Sequence, residues 1–236
     1  MRRDDLWAAI AVAVAFILIR FGTGILTTLG VLLVLGTLAV VVVRHFTRPV
    51  LPEEEVRYVT DPPFLRALFD TTHFSLLWLA IRLFVGLQWL ESGVGKLSSP
   101  AWMETGEALR GFWERAVTIP ESGRPPITYD WYRSFLQGML DSGSYTWFAK
   151  LIAVGEVLIG IALIVGIFVG IAAFFGAFMN FNFLLAGSSS TNPVLFLLAL
   201  LLMAAWKVAG YYGIDRWLLP ALGAPWSPGR VFRQEA

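Results

Sequence analysis

The stretch "WFAKLIAVGEVLIGIALIVGIFVGIAAFFGAFMNFNFLLAG", Trp147 to Gly187, is apolar almost throughout. It is about twice the roughly 20 residues that one membrane-spanning helix needs. It must therefore fold back on itself, and the reversal falls at Gly166 to Gly170. The rest of the chain has the same character: 57% of its 236 residues are hydrophobic and 15% are charged. That is more apolar surface than a soluble chain of this length can bury in one core, so the class is a polytopic, all-α integral membrane protein. The formal net charge of +1 carries little information, because position matters more than sum in such a chain. Nothing suggests nucleic acid.

Toward the C-terminus, "NPVLFLLALLLMAAWKVAGYYGIDRWL" reads as the last span, with Pro193 near its first turn. Toward the N-terminus, "FSLLWLAIRLFVGLQWL" is a further span, for which Asp70 and Thr71 are available as caps. Before it lie two apolar runs, Leu6 to Phe21 and Ile25 to Val43, separated by "GTG", which read as a helical hairpin. The alternative for the first run is a cleaved signal peptide, but Arg20 stands where a small-residue cleavage site belongs. The expected organisation is a hairpin over 1–44, a cytoplasmic linker over 45–70, a four-helix membrane module over 71–219 and a cytoplasmic tail over 220–236, with six spans in all.

Six spans place Arg2, Arg3, Arg44, Arg48, Arg66, Arg216, Arg230 and Arg233 on one side. The positive-inside rule makes that side cytoplasmic, with both termini, in a cell membrane. The outer loop 97–146 is amphipathic. Trp102, Leu109, Phe112, Trp113 and Ala116 recur at helical spacing, as do Ile127, Trp131, Phe135 and Met139. Two helices at the interface or capping the bundle explain the pattern, and so does a lid over a site.

Charges at bilayer depth require a partner or a purpose. Arg82, Gly86, Trp89, Gly93 and Lys96 fall within one narrow stripe of their helix, while Glu91 points the other way and reads as a solvated interfacial residue. On the next helix Ala149, Ala153, Glu156 and Gly160 share a face of mostly small residues, which faces a neighbouring helix. Counting inward at 1.5 Å per residue puts Arg82 and Glu156 at a similar depth, roughly 13 to 15 Å, so the two are expected to pair. Such a pair is either a buried ionic clasp or a charge relay beside a bound quinone head group. Lys96 is a candidate at an anion or quinone pocket. Asn180 continues the stripe Ala173, Gly176, Ala177, whereas Asn182 lies with Phe175, Phe178 and Met179. Lys150 and Lys207 sit near helix ends and can snorkel.

The absence of cysteine removes thiolate metal sites and thiol redox chemistry from the chain itself, and His45 and His73 are poorly placed for a haem. No metal site or haem is evident. Walker, dinucleotide-binding, HExxH and nucleophile-elbow motifs are absent.

The module from Thr71 to Leu219 resembles the DoxX family, and within it the branch related to the DoxD subunit of thiosulfate:quinone oxidoreductase. The resemblance is carried by an arginine early in the first core helix before "GLQWLESGVGKL", then by "GEVLIGIALIVG", "MNFNFLLAGSSSTNP" and "AGYYGIDRWL". The matching residues are Arg82, Gly93, Lys96, Glu156, Asn180, Asn192 and Asp215. It implies a four-helix membrane bundle that passes electrons from thiosulfate or another small reductant to quinone beside a membrane or extracytoplasmic partner subunit. On that basis Arg82, Lys96 and Glu156 are the candidate catalytic residues, and Trp89, Asn180 and Asn192 the candidate quinone-binding ones. The rival expectations are an accessory or assembly subunit of a larger complex and, less well supported for want of an inverted repeat, a small-anion carrier.

Overall fold

The computed structural model describes residues 6–47 and 60–224, and every regular element in them is helical. The chain divides between Thr60 and Asp61 into two units. Three of its helical segments are long and apolar enough to cross a membrane: Ile25–Arg44, Thr72–Leu97 and Tyr145–Val165. Of the arginines that orient the chain, Arg2, Arg3, Arg48, Arg230 and Arg233 lie outside the described residues, as do 48–59 of the linker and 225–236 of the tail.

The first unit is a hairpin of α1 (Leu6–Phe21) and α2 (Ile25–Thr47). Gly24, at φ 56°, makes the turn. The two helices approach closely at Gly30, where a Cβ would come within 2.8 Å of the Ala15 carbonyl oxygen. Ala15 is accordingly buried.

The second unit runs α3 (Pro63–Asp70), a 3₁₀ turn (Thr72–Phe74), α4 (Ser75–Leu97), α5 (Pro100–Met103), α6 (Glu107–Val117), α7 (Asp130–Asp141), α8 (Tyr145–Val165), α9 (Val169–Leu185), α10 (Asn192–Ala204) and α11 (Asp215–Ala221). The reversal within the long apolar stretch occurs at Gly166, φ 75°, and Phe168, φ 46°. Helices α4 and α8 pair extensively, as do α9 and α10, while α8 and α9 meet much less.

Two expectations need correction. The linker is shorter than 45–70: α2 continues to Thr47, and Pro63 starts an amphipathic helix whose Leu68 and Phe69 pack on the bundle. Trp78 holds it there, donating from Nε1 to the Leu68 carbonyl at 2.9 Å and lying 5.5 Å from the Phe69 ring. The last apolar run is not one helix either. α10 stops at Ala204 after 13 residues, about 20 Å, and 205–214 continue as turns before α11, which crosses the expected module boundary at Leu219. The spacing of Trp131 and Phe135 marks the outward face of α7. Trp131 is 63% exposed and Phe135 also faces out, whereas Tyr132 and Leu136 are buried. Ile127 precedes α7 and does not share its phase.

Glycine sets the α4–α8 contact. A Cβ on Gly160 would lie 2.6 Å from the Leu90 amide nitrogen, one on Gly93 2.7 Å from that of Val157, and one on Gly86 3.1 Å from the Gly160 carbonyl oxygen. Backbone touches backbone along the antiparallel pair, the arrangement by which membrane helices gain dispersion energy where no hydrophobic effect acts between them. Gly160→Val should therefore lower the thermal unfolding temperature in detergent, at a cost of about 1 to 3 kcal/mol from overpacking. Gly95→Ala, where the Cβ meets open space, should leave it unchanged or raise it slightly.

Candidate functional site

The α4 stripe is buried as its spacing implies, from Trp78 through Arg82, Gly86 and Trp89 to Gly93. The charged groups on it are partnered differently from expectation. Glu156, 1% exposed, accepts from Lys96 Nζ at 2.6 Å, and Lys96 also donates to Ser92 Oγ at 2.6 Å. The Lys96 ammonium lies 5.1 Å from the centre of the Trp102 ring, where the quadrupole of the indole attracts it. Lys96 is thus held by a carboxylate, a hydroxyl and an aromatic face.

Arg82 does not reach Glu156. Its Nη2 donates to the Tyr212 carbonyl at 2.8 Å, in the turns that follow α10. The guanidinium lies against Gly166 and Gly213, where any side chain would collide with it. Asp215 sits at the same end of the bundle. Its Oδ1 accepts from the Phe168 amide at 2.7 Å and its Oδ2 from the Val169 amide at 2.9 Å, so a carboxylate from α11 caps the start of α9. The Asp215 amide in turn donates to the Gly166 carbonyl at 2.8 Å.

The expected Arg82–Glu156 pair fails because helix ends are not level. Gly93 faces Val157, so the last turn of α4 is beside the middle of α8. The first two turns of α8, with Phe148, Ala149 and Ile152, lie beyond α4 and pack into the core of the outer loop. Counting depth from the start of α8 therefore misplaces Glu156 by about 12 Å.

Asn180 is fully buried, and neither its Oδ1 nor its Nδ2 has a protein partner. The same is true of Trp89 Nε1, which lies against Gly176, one turn from Asn180. Asn192 is apart from these, donating through Nδ2 to the Ser188 carbonyl at 3.0 Å and so bracing the loop before α10. Lys207 pairs with Asp70 Oδ1 at 2.7 Å, tying the turns after α10 to the end of α3. Thr71, rather than Asp70, caps the following 3₁₀ turn. Among the described residues no group of His, Asp and Glu is arranged to hold a metal ion.

A deep recess lies elsewhere. Between α8 and α9, beneath α6 and α7, is a cleft of about 570 Å³. Its walls are Leu151, Ile152, Gly155 and Leu158 from α8 and Phe175, Phe178, Met179 and Phe183 from α9, and its roof includes Phe112, Trp113, Tyr132 and Phe135. No lining residue is charged. The Tyr132 hydroxyl donates to the Asn182 carbonyl at 3.1 Å and lies 3.2 Å from its Oδ1. Burial pushes the Tyr132 hydroxyl up to about 12, so it remains a neutral donor well above physiological pH. None of Arg82, Lys96, Glu156, Trp89, Asn180 or Asn192 lines this cleft. Its signal in the sequence is the stripe Phe175, Phe178, Met179, Asn182, in which a lone amide interrupts an aromatic face.

Comparison with protein-family models, with curated proteins and with solved structures finds no match. The site must therefore be read from its own geometry.

If the Lys96–Glu156 pair is a clasp, removing one partner is worse than removing both. Lys96→Met should destabilise by about 3 kcal/mol in chemical or thermal unfolding, because it strands a buried carboxylate. Lys96→Met combined with Glu156→Leu should recover most of that loss.

Proposed function

We propose that this chain is a membrane module that admits a lipid-soluble molecule from the bilayer into the cleft between α8 and α9, and that the molecule is a quinone. The observation that carries the reading is the cleft itself. Its volume of about 570 Å³ falls within the range of small-molecule pockets, and its lining is aromatic and aliphatic. Leu151, Leu158, Phe175 and Phe178 line it and are also more than half exposed on the flanks of their helices, where lipid would meet them. A ligand can enter sideways from the membrane without crossing water. The α6–α7 layer then acts as the lid.

The resemblance to the DoxX family supports the choice of quinone and extends the proposal to a subunit of a quinone-linked oxidoreductase. Thiosulfate or another small reductant would approach from outside, with a partner subunit delivering electrons. In this reading α1 and α9, and α10 together with the turns that follow it, also cross the bilayer, giving six spans with both termini cytoplasmic. Arg82, Lys96 and Glu156 support the walls and do not touch the ligand. Glu156 is adjacent to Gly155, which lines the cleft.

A second reading, an accessory subunit without chemistry of its own, is favoured by the way the buried charges are used. Lys96 and Glu156 hold each other, Asp215 caps α9 and Arg82 holds the Tyr212 carbonyl. Such a subunit would co-purify with a stable partner and bind no quinone.

Gly155 offers a direct test, since a side chain there would project into the cleft and meets only Met179 Sδ, at 4.0 Å. The full chain in phosphatidylcholine nanodiscs should bind a decyl-substituted benzoquinone, measured by quenching of tryptophan fluorescence. Gly155→Leu should weaken that binding at least tenfold while leaving the unfolding temperature unchanged. Undiminished binding by Gly155→Leu, or none by the unaltered chain, would remove the cleft as a quinone site.

A further inference from the structure

We propose that the cleft selects for an uncharged, hydrogen-bond-accepting head group on an apolar tail, and that Tyr132 and Asn182 read that head while the tail runs down between α8 and α9. The inference rests on the reading of the cleft as a ligand site and adds the chemistry of recognition and the orientation of the ligand.

Apart from the Trp113 indole, the polar side chains of the lining are in one place. The lining offers one side-chain hydroxyl, that of Tyr132, and one side-chain amide, that of Asn182, and the two are in contact. Tyr132 belongs to α7 in the outer layer and Asn182 to the last turns of α9, so the head sits at the outer end. The tail extends toward Leu158 and Phe175, which continue to the lipid-facing flank.

The Tyr132 hydroxyl is also poorly used in this state. It is shared between the Asn182 carbonyl at 3.1 Å and the Asn182 side-chain oxygen at 3.2 Å, whereas a good O–H···O bond is about 2.7 to 2.8 Å long. A carbonyl or hydroxyl oxygen presented at the shorter distance would compete successfully for that proton. Asn182 is already satisfied on one side, donating from Nδ2 to the Phe178 carbonyl at 2.8 Å, and its amide carries a second N–H for the ligand.

Charge is excluded by the same inventory. No cationic or anionic side chain lines the cleft, so a carboxylate, phosphate or quaternary ammonium head would lose its hydration without a counter-charge. The neighbouring Lys96 and Glu156 are occupied with each other and supply none. An ordinary structural role for the Tyr132–Asn182 contact, stapling α7 to α9, predicts a different result: its loss would loosen the lid toward every ligand alike.

The test is competition for a photoreactive alkyl-diazirine probe bound by the full chain in phosphatidylcholine nanodiscs, with labelled residues mapped by mass spectrometry. The competitors are decyl-benzoquinone, decyl phosphate and decyltrimethylammonium, compared at equal membrane concentrations. The unaltered chain should be competed at least tenfold better by the uncharged head than by either charged one. Tyr132→Phe should reduce that preference roughly three- to tenfold, the worth of one hydrogen bond, without moving the curves of the charged competitors. Equal competition by all three heads would overturn the inference without needing any variant. So would a Tyr132→Phe chain that keeps the full preference, or one weakened equally toward all three. Labelling of α8 and α9 that survives Gly155→Leu would instead overturn the underlying reading of the cleft, whereas labelling abolished by Gly155→Leu with indifference to the head would overturn this inference alone.

Discussion

The contact on which the second unit depends is the backbone-to-backbone approach of α4 and α8 through Gly86, Gly93 and Gly160. Where helices meet without side chains between them, sliding one past the other by a turn brings a Cβ into a backbone atom. The register is therefore strongly determined, and other placements follow from it. Gly93 against Val157 puts Lys96 within reach of Glu156. At the opposite end the same register sets Arg82 beside the α8–α9 turn, where Gly166 and Gly213 make room for its guanidinium.

That register also explains why there is a cleft. α8 extends about two turns past the end of α4, and those turns are clothed by α5, α6 and α7 instead of by a neighbouring span. α9 is committed to α10 on its other side. Joined tightly at Gly166 to Phe168, with Asp215 holding the start of α9, the two helices leave between their outer halves a space that the α6–α7 layer covers from above. The buried charges thus build the walls of the recess from behind.

Much of this was legible in the sequence. The reversal near Gly166, the inward stripe of α4, the buried face of α8 and the interior position of Asn180 all follow from apolar periodicity and the spacing of small residues. What misled was long-range or depended on phase. Helix ends were treated as level, which paired Glu156 with Arg82. In α7, Trp131, Phe135 and Met139 share a helical spacing, but the spacing does not say which face packs on the protein: Trp131 and Phe135 face outward, as aromatic residues at an interface can at little cost, and Tyr132 and Leu136 turn in. The apolar run after Asn192 was read as one span, although its glycines allow the turns that carry Tyr212 and Asp215 to the base of α8.

By itself, the sequence determined that the chain is helical, that its helices are apolar enough for a membrane, and which face of most of them is buried. These properties are local, set by residue type at a period of 3.6 and by the length of each apolar run. Only the tertiary structure decided which buried charge meets which, that α8 outreaches α4, and that the face bearing Asn182, Phe175 and Phe178 borders a recess as well as the outer surface. The reason is physical. Apolar periodicity reports that a face is shielded from water but not by what, and in a membrane the alternatives of lipid, a neighbouring helix and a ligand all demand the same residues.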